Sequence, residues 1–138
     1  MIFMSTRLRW LTRERAALAV IGFFTAARGV SYFPPLVNPD RKAAHFLEQI
    51  ISTNVNGVVW VVIGVLALAA IRWRGLLPVA VAWVVGLHAA WGTSFLGGQV
   101  LGDLPRAWVS ALSYFCIAML IMLIFGHPRT AEVRIQEE

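Results

Sequence analysis

The chain has 138 residues, of which 59% are hydrophobic and 14% charged, and a mean hydropathy of +0.71. A water-soluble domain of this size carries about a quarter charged residues, so the composition excludes an ordinary soluble fold and points to a membrane protein. The formal charge of +5 comes mostly from arginines in short flanks with no folded basic domain behind them, which argues against nucleic-acid binding.

The chain opens on a basic stretch, residues 1–12, followed by an apolar run from Ala16 to Leu36 that is broken by Thr25, Arg28 and Ser31. That run is longer than the roughly 7–15 residues of a signal-peptide core and lacks a clean small-x-small cleavage site, so it reads as a retained span. Three further apolar runs follow at Val55–Ile71, Leu76–Leu96 and Ala107–Phe125. At about 1.5 Å per residue each is long enough for a hydrocarbon core of about 30 Å. Stretches such as VVWVVIGVLALAA do not alternate in polarity, which excludes the strands of a β-barrel. The expected fold is therefore an all-α integral membrane protein, a single membrane domain over 1–138, with four transmembrane helices in two antiparallel hairpins.

Between the first two runs, Asn38 before Pro39 has the form of a helix N-cap, and Phe46, Leu47, Ile50 and Ile51 recur at helical spacing. A short amphipathic helix is expected from Pro39 to about Ser52. The tail 129–138 is short and polar.

Arginine placement sets the topology. With the N-terminus inside, the inner segments hold Arg7, Arg9, Arg13, Arg15, Arg72, Arg74, Arg129 and Arg134, and the outer loops only Arg41, Lys42 and Arg106. Both termini are thus expected in the cytoplasm, with the protein in the cell (inner) membrane. Trp10, Trp73 and Trp108 sit where interfacial anchors belong.

Shifting the chain by 63 residues superposes Arg9-Trp10 on Arg72-Trp73. It also superposes Ala26, Ala27, Gly29 and Ser31 on Ala89, Ala90, Gly92 and Ser94, and Asp40 on Asp103. The match suggests one hairpin used twice, with parallel repeats of the kind some transporters show. A plain four-helix bundle is the alternative.

Arg28 is the residue least at home in its run. An arginine at the centre of a span costs about 2.5–3.5 kcal/mol on insertion scales, so it calls for a partner or a wet pocket. The alternative is snorkelling, but a side chain on this helix leans toward the helix N-terminus, the farther face of the membrane. By helical rise His88 shares the depth of Arg28, and Ser113 and Tyr114 enter from the fourth run. His45, Gln49, Ser52 and Asn56 follow spacings that would form one polar stripe. An outward-facing ligand-binding cluster is expected from Arg28, Asn56, His88, Ser113 and Tyr114, with Asp40, Glu48 and Asp103 as acidic partners near its mouth. The plainer reading is that these groups join helices by hydrogen bonds.

Ala82, Gly86 and Ala90 form a row of small residues, and Ala27 with Ser31 a shorter one. Such rows allow close helix packing and point to a homo-oligomer or another membrane protein as partner, besides the bilayer. The lone Cys116 excludes an intrachain disulfide, and no metal-spaced, haem-attachment, P-loop or hydrolase motif is present, so neither catalytic residues nor a metal or cofactor are expected. Eleven arginines to one lysine hint at a GC-rich bacterial genome or its phages. In size and topology the chain looks like small four-span bacterial and phage proteins, including multi-span holins, a likeness that by itself carries no function. Two functions follow as expectations. One is a non-enzymatic accessory or holin-like assembly acting through helix association. The other is a protein that binds or transports a small anion at Arg28 and His88.

Overall fold

The structure, a computed structural model, describes residues 2–38, 40, 43, 45–101 and 106–126, with the backbone alone for 2–12. Every regular element among them is helical: α1 (Ile2–Val30), α2 (Phe46–Ile50), α3 (Thr53–Arg72), a single 3₁₀ turn (Arg74–Leu76), α4 (Leu77–Leu101) and α5 (Ala107–Phe125). Three helical segments among the described residues are long and apolar enough to cross a membrane: Thr53–Arg72, Arg74–Leu101 and Ala107–Phe125.

The first run departs from its expected length. Its helix stops at Val30 rather than Leu36, because Ser31 Oγ donates to Arg28 O at 2.6 Å and the Tyr32 and Phe33 amides bond back only three residues. Pro34 and Pro35 then offer no N–H, and Phe33, before a proline, is pushed out of the helical region. Only residues 16–30 remain both apolar and helical, about 22 Å by helical rise. A longer window takes in Arg13, Glu14 and Arg15.

The expected amphipathic helix shrinks to the five residues of α2. Asn38 does not cap it: its Oδ1 accepts from Asp40 N at 2.9 Å, a local Asx turn. Residues 39, 41, 42 and 44 lie outside the described set, as do Asp103 and the tail 129–138, and the side chain of Trp10 is likewise not described. Ser52 instead caps α3, accepting from Val55 N at 3.4 Å.

α1 and α3 run antiparallel at very short range. Gly29 faces the backbone of Gly57 and Val61, Gly64 faces Ala26, and Gly22 faces Leu68. Small residues at matching levels let two backbones approach where larger ones would hold them apart. α4 packs along α5, α3 meets α4, and α2 rests on α4. At the opposite end Arg74 pairs with Glu14 and ties the 3₁₀ turn to α1.

The core is aromatic and aliphatic: Trp60, Ile63, Ala67, Val84, Leu87, Trp91, Tyr114 and Ile121 are buried together. The outward faces stay apolar, with Phe23, Val62, Trp83 and Leu123 all exposed. That is the surface a bilayer solvates and water does not. Trp73 and Trp108 are exposed near helix ends, as interfacial anchors would be.

Candidate functional site

Trp60 organises the polar residues at the end of the bundle where α1 finishes and α3 and α5 begin. It lies seven residues into α3, Tyr114 lies seven residues into α5, and both are therefore about 10 Å below those helix starts. Trp60 packs edge-on against His88 at 5.2 Å and Trp91 at 5.3 Å, and near Tyr114 at 6.3 Å.

Arg28 completes this group. Its guanidinium carbon stands 5.0 Å from the Trp60 ring centre and 5.2 Å from that of Tyr114. A cation over an aromatic face is stabilised by roughly 0.5–1 kcal/mol when exposed and about 2 kcal/mol when desolvated. Two such contacts are comparable with the insertion cost of about 2.5–3.5 kcal/mol. Arg28 also lies in the last turn of α1, where the helix dipole favours a cation. The arginine is thus accommodated by rings and a helix end. Its Nε is buried with no hydrogen-bond partner, and among the described residues no acid pairs with it. Rings do not cancel charge, so the site keeps a cation with no ion-pair partner among the described residues and one unmet Nε–H donor.

The acids expected at the mouth are engaged differently. Asp40 is exposed in its turn. The Glu48 side chain is 6% exposed and accepts from the Tyr32 hydroxyl at 3.0 Å. His45, wholly buried, places Nδ1 2.8 Å from Ser94 Oγ and Nε2 3.6 Å from Glu48. Ser94 Oγ also accepts from Leu47 N at 2.9 Å. The imidazole thus lies between the Ser94 hydroxyl and the Glu48 carboxylate. This network pins α2 onto α4. In a Ser94→Ala variant the half-buried Leu47 amide loses its acceptor, at about 1 kcal/mol locally. Hydrogen exchange of the α2 amides is expected to accelerate severalfold while that of α3 is unchanged.

Of the five expected ligand-binding residues the structure gathers three, Arg28, His88 and Tyr114, around Trp60. His88 Nδ1 donates to Val84 O at 2.8 Å, so that half of its ring is spent within α4. Asn56 is buried one turn from Trp60 on α3, with Nδ2 3.5 Å from Ile51 O and its Oδ1 unpartnered. Ser113 is not among the residues gathered there: it is exposed, and its hydroxyl donates back to Val109 O at 3.1 Å. The stripe from His45 to Asn56 does not form either, because the helix breaks at Ile51–Ser52 and leaves Gln49 and Ser52 exposed.

The small-residue rows also divide. Ala82, Gly86 and Ala90 are all exposed on α4, with open space around Gly86, and Ala27 and Ser31 are exposed on α1. None of them packs the helices of this chain together.

Trp60, Gly22, Gly57 and Gly64 are not singled out by the sequence, while Gly29, Tyr32 and Trp91 enter it only as members of the 63-residue repeat. The spacing of His88, Trp91 and Phe95 along one helix face is the signal that could have found the aromatic wall. The offset of 63 superposes Arg28 on Trp91, and both rest against Trp60. Comparison of the chain with protein-family models, with curated proteins and with solved structures returns no match.

Proposed function

We propose that the protein is a four-span membrane protein that binds an anionic group at Arg28, in the outer half of the bundle. The observation that carries this reading is a guanidinium held between Trp60 and Tyr114 with a buried Nε that meets no acceptor. An arginine kept only as helix glue would donate to a carbonyl or carboxylate. Here the rings hold the plane of the fork while its charge stays available, and Arg is the side chain best suited to carboxylate and phosphate. His88 and Tyr114 serve as wall and orientation. The fourth span in this reading is α1, whose residues 22–29 lie alongside the spanning helix α3 and so share its depth. The arginine asymmetry supports both termini in the cytoplasm, and the shared Trp60 contact of Arg28 and Trp91 supports the two-hairpin repeat.

The test is anion-dependent stabilisation of the purified protein in detergent. Addition of phosphate-bearing or carboxylate ligands at 100 times their dissociation constant is expected to stabilise wild type by about 2.7 kcal/mol and an Arg28→Ala variant not at all. Equal stabilisation of both proteins would refute the reading.

A second reading, helix association in an accessory or holin-like assembly, rests on the open space around Gly86 between exposed Ala82 and Ala90. It expects in-membrane cross-linking to give oligomers that Gly86→Leu abolishes; monomers alone would exclude it.

A further inference from the structure

The bundle is not closed around Arg28. α1 lies along α3, α3 meets α4 and α4 lies along α5, but α1 and α5 share no extended interface. Near the Trp60 end they are bridged by the contact of Arg28 with the Tyr114 ring. One turn to either side of Arg28, Phe24 and Ser31 are exposed, and one turn beyond Tyr114 so is Ile117. The fissure between α1 and α5 therefore opens sideways, toward acyl chains, with a cation at its inner wall.

The route from the aqueous side is different in kind. Above the site stand the buried Tyr32, the buried carboxylate of Glu48 and the buried His45, which α2 brings down onto α4. An anion descending that way would have to displace a packed network of buried polar side chains. One entering between α1 and α5 would pass mostly apolar side chains, Phe24 and Ile117 among them, and no charged one among the described residues. Its headgroup would come to rest about 10 Å below the ends of α3 and α5.

From this geometry we infer that the ligand is an anionic, phosphate-bearing membrane lipid, which enters through the α1–α5 fissure and places its phosphate on Arg28. The inference rests on the anion-binding reading above and names its ligand class. The phosphate takes the guanidinium donors as a charge-assisted fork. The acyl chains lie along Phe24 and Ile117. Nothing in the site selects the group beyond the phosphate, so discrimination falls on net charge: a zwitterionic lipid brings a cation that Arg28 repels.

Native mass spectrometry of the full chain, released from detergent with phosphatidylglycerol, phosphatidylcholine or inorganic phosphate, separates the outcomes. Wild type is expected to retain phosphatidylglycerol at least tenfold better than phosphatidylcholine. Arg28→Ala is expected to lose that preference, and Arg28→Lys, which keeps the charge without the fork, to retain part of it. Circular dichroism establishes that each variant is folded, and Gly86→Ala, at an exposed position with open space around it, is expected to bind as wild type. Arg28-dependent binding of inorganic phosphate without lipid preference overturns the lipid assignment and leaves the anion site standing. Loss of all Arg28-dependent binding overturns both.

Discussion

Gly64→Ala is expected to separate α1 from α3 and to destabilise the protein, whereas Gly86→Ala is expected to stabilise it slightly. A methyl group on Gly64 would stand 2.4 Å from Ala26 N and 2.8 Å from Ala26 Cα. These are backbone atoms, which cannot rotate away as the end of a side chain can. The same crowding holds one level along, where a Cβ on Gly29 would meet Val61 N at 2.5 Å and Gly57 O at 2.7 Å. Relief requires the helices to part by about 1 Å, and overpacking of this kind costs about 1–3 kcal/mol. Alanine gains up to about 1 kcal/mol over glycine in a helix, which does not offset a displacement felt along the whole contact. At Gly86 there is nothing within 4 Å, so only the propensity gain remains. Thermal unfolding in a fixed detergent should therefore move in opposite directions for the two variants. Unchanged stability of Gly64→Ala would mean that α1 and α3 are not in backbone contact.

This contrast shows where the sequence was readable. Composition and unbroken apolar runs marked out α3 and α5 closely, because a span of about 20 residues is a property of the run itself. Gly86 was visible as part of a row spaced by four, yet the glycines that face another helix, Gly22 and Gly29 against Gly57 and Gly64, are spaced by seven on two different segments. Their meaning depends on which helices are neighbours, and a single run does not carry that. The same limit applies to α1. Hydrophobicity continued to Leu36, while the backbone ended the helix at Val30 through Ser31 and the Pro34-Pro35 pair. That shift leaves Arg28 at a helix end, where a cation is favoured, although it is still about 10 Å below the ends of α3 and α5. Arg28, His88 and Tyr114 were legible as polar exceptions in oil, each on its own span. Ser113 was an equal exception, but its hydroxyl can satisfy itself on its own helix and so did not need the interior. Trp60 was illegible for the opposite reason: a tryptophan in VVWVV is ordinary in a membrane helix, and only the fold reveals that Arg28, His88 and Trp91 converge on it.

Trp60→Leu tests that convergence. Trp60 is 1% exposed, so truncation leaves a cavity in the centre of the bundle, and losses of about 3–5 kcal/mol accompany removal of a large buried aromatic side chain. Leucine refills part of that space, which sets the expected loss near the lower figure. Packing alone, however, would make this loss independent of residue 28. The cation–π account makes it depend on the guanidinium, since without Trp60 the Arg28 charge keeps one ring in place of two. In a double-mutant cycle with Arg28→Leu, the coupling between the two positions is expected at about 1–2 kcal/mol, the size of a desolvated cation–ring contact. Arg28→Leu by itself should leave stability near wild type or raise it, because it removes the cost of a cation in hydrocarbon together with the contacts that offset it. The same substitution abolishes anion binding in the function proposed here. A coupling energy within about 0.3 kcal/mol of zero, measured by reversible unfolding in mixed micelles, would show that Arg28 draws nothing from the Trp60 ring. The charge would then need another partner, and the aromatic cage would be packing alone.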